Sequence, residues 1–370
     1  MMRHHERLSR FSFTPVAFAL VAAVSGCGDR PALEPAPKGC PTCGDTVGAV
    51  RTDGAGYVEY TVGDAPLIIS APHGGVIAPA SLPDRSCAGC VTLNDGNTQE
   101  LARRVAAQFK DRTGRRPHLV INLLRRAKFD ANRDVAEATG GNAALTPTWS
   151  TYHMFIESAR GSVAITHGSG LLLDLHGHAH AIPRLELGYL LSAAALRLDD
   201  SALDASSAIA SSSIARLSVV AVSRPSPAAL LRGPASLGAL LARNGFPAVP
   251  SPSDPAPAVD DEYFTGGYTT QRHGSSGGGR VDAVQIEANR AGVRDTPENL
   301  DRFAAAIVTS VLEFLSTHYG WVPPTVAMAP PWLPGAGRMA ATLRTRTAVQ
   351  RSVERSAQRS AQRSSVRSVP

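Results

Sequence analysis

The chain has 370 residues, 43% of them hydrophobic and 18% charged, enough apolar material for one large or two ordinary domains with a buried core, which excludes a chain disordered throughout. Its net charge of +6 sits at the ends: Arg338 to Pro370 contributes +7 and residues 1–26 contribute +2, leaving −3 for the body. A mildly acidic body carries no electrostatic footprint for nucleic acid, so no nucleic-acid partner is expected.

The first ten residues, MMRHHERLSR, are basic and precede an apolar run from Phe11 to Val24 that is too short to span a membrane comfortably, the pattern of a signal peptide over residues 1–26. Its end, Val24-Ser25-Gly26-Cys27, looks like a bacterial lipobox, which makes Cys27 the lipidated mature N-terminus; the other reading is an ordinary exported protein with a chance cysteine. Either way the chain leaves the cytoplasm, and lipid would tether it to a bacterial membrane in the cell envelope without a span. Residues 27–47, rich in Pro and Gly, read as a flexible tether. The remaining cysteines form two CxxC pairs, Cys40 with Cys43 and Cys87 with Cys90. An oxidising compartment favours two disulfides of open connectivity, with a structural zinc as the alternative.

The folded part is expected over residues 48–320. Gly56 to Val62 and Pro66 to Ala71 read as strands around a Gly-Asp turn, and the second runs into His73, Gly74 and Gly75. A helix follows over Thr98 to Phe109, with Asp95 near its start as a capping residue or a metal ligand. Pro117 to Leu124 is an apolar strand that leads into a dense polar group from Arg125 to Asp134, which could read an anionic substrate or be a solvated turn. A helix over Trp149 to Ile165 returns the chain to Leu171, where LLLDLHGHAH carries an apolar strand with Asp174 into His176, His178 and His180. Such a run suits a central strand covered on both faces, and in open α/β sheets the ligand lies beyond the carboxyl ends of such strands.

Leu185 to Ser192 reads as a further strand. Ser201 to Pro257 is an Ala/Ser/Pro-rich insertion with helical stretches near Leu203 to Leu217 and Ala235 to Ala242. Tyr268 and Arg272 are expected at another strand end, and the strand Val281 to Ile286 delivers Glu287 and Arg290. An amphipathic helix over Asn299 to Thr317 closes the fold. Residues 321–370, a Pro-rich linker and an Arg/Ser tail, cannot bury a core and are expected to be disordered.

The fragments SAPHGG, DLHGHAH, GGYTTQRHG and VQIEANR together resemble the N-formylglutamate amidohydrolase family, over roughly Pro66 to Tyr319. The wider resemblance is to zinc carboxypeptidases and aspartoacylase-like deacylases, with a strand-end Asp-Leu-His, an Asn-Arg pair and a late strand-end Glu matched here by His176, Asn132-Arg133 and Glu287. One departure is that His73-Gly74-Gly75-Val76 lacks the acid of the relatives' HxxE, and Asp95 is the position that fits instead.

The resemblance implies a three-layer α/β fold with a mixed, mostly parallel central sheet and helices on both faces. It implies one zinc per chain held by His73, Asp95 and His176 with a fourth position open, and Glu287 moving the proton of the attacking water. It further implies Asn132 and Arg133, with Arg125, Arg126 and Tyr268, around a substrate carboxylate, and Arg272 at the oxyanion or at a second carboxylate. His178 and His180 are left as supporting residues. The implied activity is hydrolysis of the amide in an N-acyl amino acid or small peptide bearing a carboxylate. The alternatives are a peptide or cell-wall amidase or carboxypeptidase, and a non-catalytic solute-binding lipoprotein.

Overall fold

The computed structural model describes residues 45–324 apart from Ala88. The expected signal peptide, Cys27, Cys40, Cys43, most of the expected tether and the segment from 325 onward lie outside the described residues.

Eight strands form one sheet: β1 (Val50–Thr52), β2 (Val58–Thr61), β3 (Leu67–Ala71), β4 (His118–Asn122), β5 (Gly170–His178), β6 (Leu185–Gly188), β7 (Ala248–Val249) and β8 (Val281–Asn289). Their order is β1-β2-β4-β3-β5-β8-β6-β7. The central strands β4, β3, β5 and β8 are parallel, as are β6 and β7, whereas β1 on β2, β2 on β4 and β6 on β8 are antiparallel. The fold is therefore α/β with a mixed, mostly parallel sheet.

The helices are α1 (Thr98–Thr113), α2 (Val135–Thr139), α3 (Thr146–His167), α4 (Ala193–Leu196), α5 (Asp200–Ala205), α6 (Leu217–Val220), α7 (Pro227–Arg232), α8 (Leu237–Arg243), α9 (Tyr268–His273) and α10 (Pro297–Tyr319). Every residue of β3 and β8 is buried, because both faces are covered. Ile69, Leu171, Leu173 and Val284 pack with Leu101, Val105 and Phe109 of α1 and with Phe303, Ile307 and Val311 of α10. Ile68, Leu172 and Ala283 pack instead with Tyr152, Phe155 and Ile156 of α3. Neighbouring residues of a strand point to opposite faces, so this split makes three layers. Each such Leu or Ile contributes about 1.5–3 kcal/mol through burial. The last helix is held at both ends: the Thr296 side chain accepts the Asn299 amide, Pro297 opens the first turn, and Gly320 stops it in the left-handed region at φ +68°.

The expected elements change in three places. The strand expected to run to Ser192 stops at Gly188, since Leu190 adopts φ +63° and donates its amide to the Thr265 carbonyl at 2.6 Å, turning the chain out of the sheet. The helix expected from Leu203 to Leu217 is instead α5, a 3₁₀ turn over Ala208–Ser211, and α6, because Ser206 and Ser212 take extended backbone and end each piece. Tyr268 and Arg272 are not at a strand end but on α9: the Gly267 amide donates to Thr270 Oγ1 at 3.0 Å and the Thr270 hydroxyl donates back to the Gly267 carbonyl at 2.9 Å, which closes a helical turn.

Cys87 and Cys90 bring their sulfurs into contact with Cα atoms 5.3 Å apart, a span that a disulfide bridges. No helix among the described residues is long and apolar enough to cross a membrane.

Candidate metal and substrate site

Three segments deliver His73, Asp95 and His176 to the carboxyl ends of the central strands. His73 follows β3, and the loop after it folds back so that the Asp95 amide donates to the His73 carbonyl at 3.2 Å. Gly74 permits that path, since a Cβ there would lie 2.5 Å from the Gln99 backbone nitrogen at the start of α1. Asp95 does not cap α1. Its Oδ2 faces His73 Nδ1 at 3.2 Å and His176 Nδ1 at 3.1 Å, and accepts the Gly177 amide at 3.2 Å. The two imidazoles meet edge to face with centroids 4.7 Å apart, and all three residues are buried.

The outer nitrogens are also held. His73 Nε2 lies 2.6 Å from Asp130 Oδ1, and His176 Nε2 lies 2.9 Å from Asp174 Oδ2. Asp174 is fixed by the Ser70 hydroxyl at 2.6 Å, and Asp130 by Arg126 Nε at 2.9 Å and Arg85 Nη2 at 3.5 Å. Each ring therefore faces a carboxylate oxygen at both nitrogens, whereas a neutral imidazole carries one N–H. With that proton on Nε2, both Nδ1 lone pairs point at Asp95, and either protonation or a cation between the three groups must resolve the contact. Burial alone would lower His176, but Asp174, Asp95 and Glu287 outweigh it and hold the imidazole well above its ordinary range. Burial would raise Asp95, and His73 and His176 hold it well below the usual carboxylate range instead.

The donor set fits a divalent cation. Donors about 2.0–2.1 Å from a tetrahedral ion stand roughly 3.3 Å apart, close to the spacing seen between each Nδ1 and Asp95. Carboxylates that orient metal-bound imidazoles through their outer nitrogens are the common arrangement around such ions. Charge points the same way: Asp95, Asp130, Asp174 and Glu287 are buried against three buried guanidiniums, those of Arg85 and Arg126 in ion pairs and that of Arg294 acting on Asp95 and Glu287, which leaves one negative charge when all are ionised.

Glu287 pairs in register with His176, so their side chains share one face of the sheet, with Oε1 3.9 Å from His176 Nδ1. Oε1 accepts the Gln285 amide at 2.8 Å, while Oε2 is buried with no hydrogen-bond partner among the described residues. Burial pushes the carboxyl up to about 7, with His176 opposing and Asp95 and Glu186 reinforcing the rise.

A cavity of about 590 Å³ opens beside this cluster, lined by Asn132, Arg133, Asp134, Leu190, Thr265 and Tyr268 among others. Asn132 joins the two spaces: its Nδ2 lies 3.3 Å from His176 Nε2, and its Oδ1 accepts the Thr269 amide of α9 at 2.7 Å. Gly267 makes room for it, because a Cβ there would stand 2.3 Å from Asn132 Nδ2. Arg133 is partly engaged, donating to Glu137 at 2.9 Å and to the Asn132 carbonyl at 2.8 Å.

Other arginines singled out in the sequence stand elsewhere. Arg126 is buried behind the cluster, its guanidinium on Asp95 and Asp130. Arg125 is exposed, and so is Arg272, which stacks over Trp149 at 5.3 Å and donates to Tyr268 Oη at 3.3 Å. The roles of Asp130 and Asp174 as imidazole partners were not read from the sequence. Asp174 could have been found from strand alternation, which puts it on the same face as His176, whereas nothing local marks Asp130.

No family model and no curated protein matches the chain. Among solved structures, an N-formylglutamate amidohydrolase from Ralstonia eutropha JMP134 is similar at 14% identity and a TM-score of 0.40, over 67% of this chain and 91% of that one. A gene product of Agrobacterium tumefaciens is similar at 13% identity and a TM-score of 0.41, over 70% and 95%. A succinylglutamate desuccinylase from Chromobacterium violaceum is similar at 13% identity and a TM-score of 0.33, over 77% and 75%. At these values the geometry of the site, rather than the likeness, must carry a functional reading.

Proposed function

We propose that the chain is a zinc-dependent hydrolase of the amide bond in N-acyl amino acids of the N-formylglutamate type, or in small peptides, whose substrates bear a carboxylate. The observation that supports it is the convergence of two imidazole Nδ1 atoms and one Asp95 oxygen on one buried point, with both outer nitrogens on acids and Glu287 alongside. Zinc held by His73, Asp95 and His176 supplies Lewis acidity to the scissile carbonyl and lowers the pKa of water.

The residues of the chain do the rest. Asp130 and Asp174 hold each imidazole with its proton on Nε2, which keeps Nδ1 free to coordinate. Glu287 takes a proton from the attacking water at its unpartnered Oε2 and returns it to the leaving amine nitrogen. Arg133 and Asn132, which line the cavity, orient the substrate carboxylate. Export and lipidation at Cys27 belong to the same proposal.

The test is metal analysis of the purified full-length protein together with a turnover screen over N-acyl amino acids and short peptides. Zinc lost on His73→Ala and on His176→Ala, with hydrolysis that follows zinc content, is the expected result. Stoichiometric zinc retained by both variants sinks the metal assignment, and tight ligand binding without turnover marks a solute-binding protein instead.

A further inference from the structure

His178, His180 and Glu186 form a second group beside the first. Their donor atoms lie within 4.8 Å of one another: His180 Nδ1 is 2.8 Å and His178 Nδ1 is 4.0 Å from Glu186 Oε1. The sheet explains the placement. His176 pairs with Glu287 across β5 and β8, and Glu287 pairs with Glu186 across β8 and β6, so the three side chains stand in a row on one face. His178 lies two residues beyond His176 on the same face of β5.

His178 and Glu186 are each held by an atom other than the one they present. His178 Nε2 donates to the Arg184 carbonyl at 2.8 Å, which fixes the proton there and leaves the lone pair on Nδ1. Arg184 is itself clamped by Asp254 at 2.9 Å and Asp261 at 2.8 Å. Glu186 Oε2 accepts the Phe264 amide at 2.8 Å, leaving Oε1 toward the histidines. The His180 ring stacks on Phe264 at 4.6 Å, and its Nε2 faces the exposed Glu262 at 4.0 Å. A backbone carbonyl behind His178 and a backbone amide behind Glu186 are the support that ligands need to hold an ion. His178 Nδ1 also accepts the His180 amide at 3.1 Å, a contact that coordination would replace.

Charge also points to a cation. Glu186 and Glu287 are both buried and sit directly opposite each other on antiparallel strands, where like charges repel. A positive ion on the Glu186 side offsets that repulsion.

We infer that His178, His180 and Glu186 bind a second divalent cation of the zinc class, next to the first group and separated from it by the Glu287 strand. Two imidazoles and a carboxylate suit zinc or cobalt better than the all-oxygen sites of calcium or magnesium.

The experiment counts bound ions in the full-length protein after chelator stripping, gel filtration and titration with Zn²⁺ and, separately, Co²⁺. The expected result is two equivalents in the unmodified protein and one in His180→Ala and in Glu186→Gln, with His73→Ala losing the other one. A single equivalent in the unmodified protein that His73→Ala removes and His180→Ala leaves in place overturns the inference. So does a second equivalent that survives both His180→Ala and Glu186→Gln, which puts that ion elsewhere, for instance on the cysteines. An ion count that does not fall in His73→Ala instead counts against the first site, so the two readings fail separately.

Discussion

Lowering the pH from 7 to 4 should destabilise the fold through one histidine far from the chemistry. His118 opens β4, is 1% exposed, and its Nδ1 accepts two hydrogen bonds, from Tyr60 Oη at 2.8 Å and from the Gly63 amide at 3.1 Å. Protonating Nδ1 breaks the bond from the Gly63 amide and forces the Tyr60 hydroxyl to turn and accept. Burial lowers the imidazole from 6.5 to about 4, with Asp64 opposing and His167 adding to the drop. Because the folded-state pKa is depressed, the stabilisation is complete above pH 6.5 and is lost as pH falls through 4. At about 1.4 kcal/mol per pH unit the gap amounts to about 3 kcal/mol, a large part of a typical folding free energy. The assay is urea denaturation at pH 7 and pH 4 of the full-length protein and of His118→Gln, whose amide can accept but cannot titrate. The unmodified protein should lose about 3 kcal/mol more than the variant between the two pH values. Equal losses in the two proteins, within about 1 kcal/mol, would refute the reasoning.

Three further outcomes test the site. Glu287→Gln should lower kcat by about 10²- to 10⁴-fold with zinc still bound, read by steady-state kinetics beside metal analysis. Arg133→Ala should raise KM roughly ten- to hundredfold with a small change in kcat, since a charge-assisted bond contributes about 1.5–3 kcal/mol; an unchanged KM removes Arg133 from substrate binding. Asp174→Asn should weaken zinc by about 10- to 100-fold in chelator competition while the circular dichroism spectrum stays the same, because the neutral amide no longer supports the His176 ring; unchanged affinity would make Asp174 a packing residue alone.

What could be read in the sequence was what strands announce locally. β3, β5 and β8 are apolar runs that stop at His73, at His176 and at Glu287, and the change from apolar to polar at each end is visible without the fold. Asp130 is different: its partner His73 lies 57 residues earlier, and only the parallel pairing of β3 with β4 brings the segments after them together. The same holds for Glu186, which reaches Glu287 through an antiparallel pair. GGYTTQRHG was misread as a strand end because glycine, an aromatic and two threonines favour extended chain, yet Thr270 closes a helical turn on Gly267. In the insertion, Asp199, Ser226 and Ser236 each restart a helix of no more than seven residues, too short for a 3.6-residue stripe to declare itself.

The central order β3-β5-β8 joins pieces of chain that are more than 200 residues apart, and the three inner donors come from separate segments. An unfolded chain cannot gather them, so any ion they hold is bound by the folded state alone. By mass action such an ion raises the unfolding free energy by about 2.7 kcal/mol at a hundred times its Kd. The melting temperature of this protein is then a function of the free metal around it, and metal supply becomes a determinant of how long each copy survives.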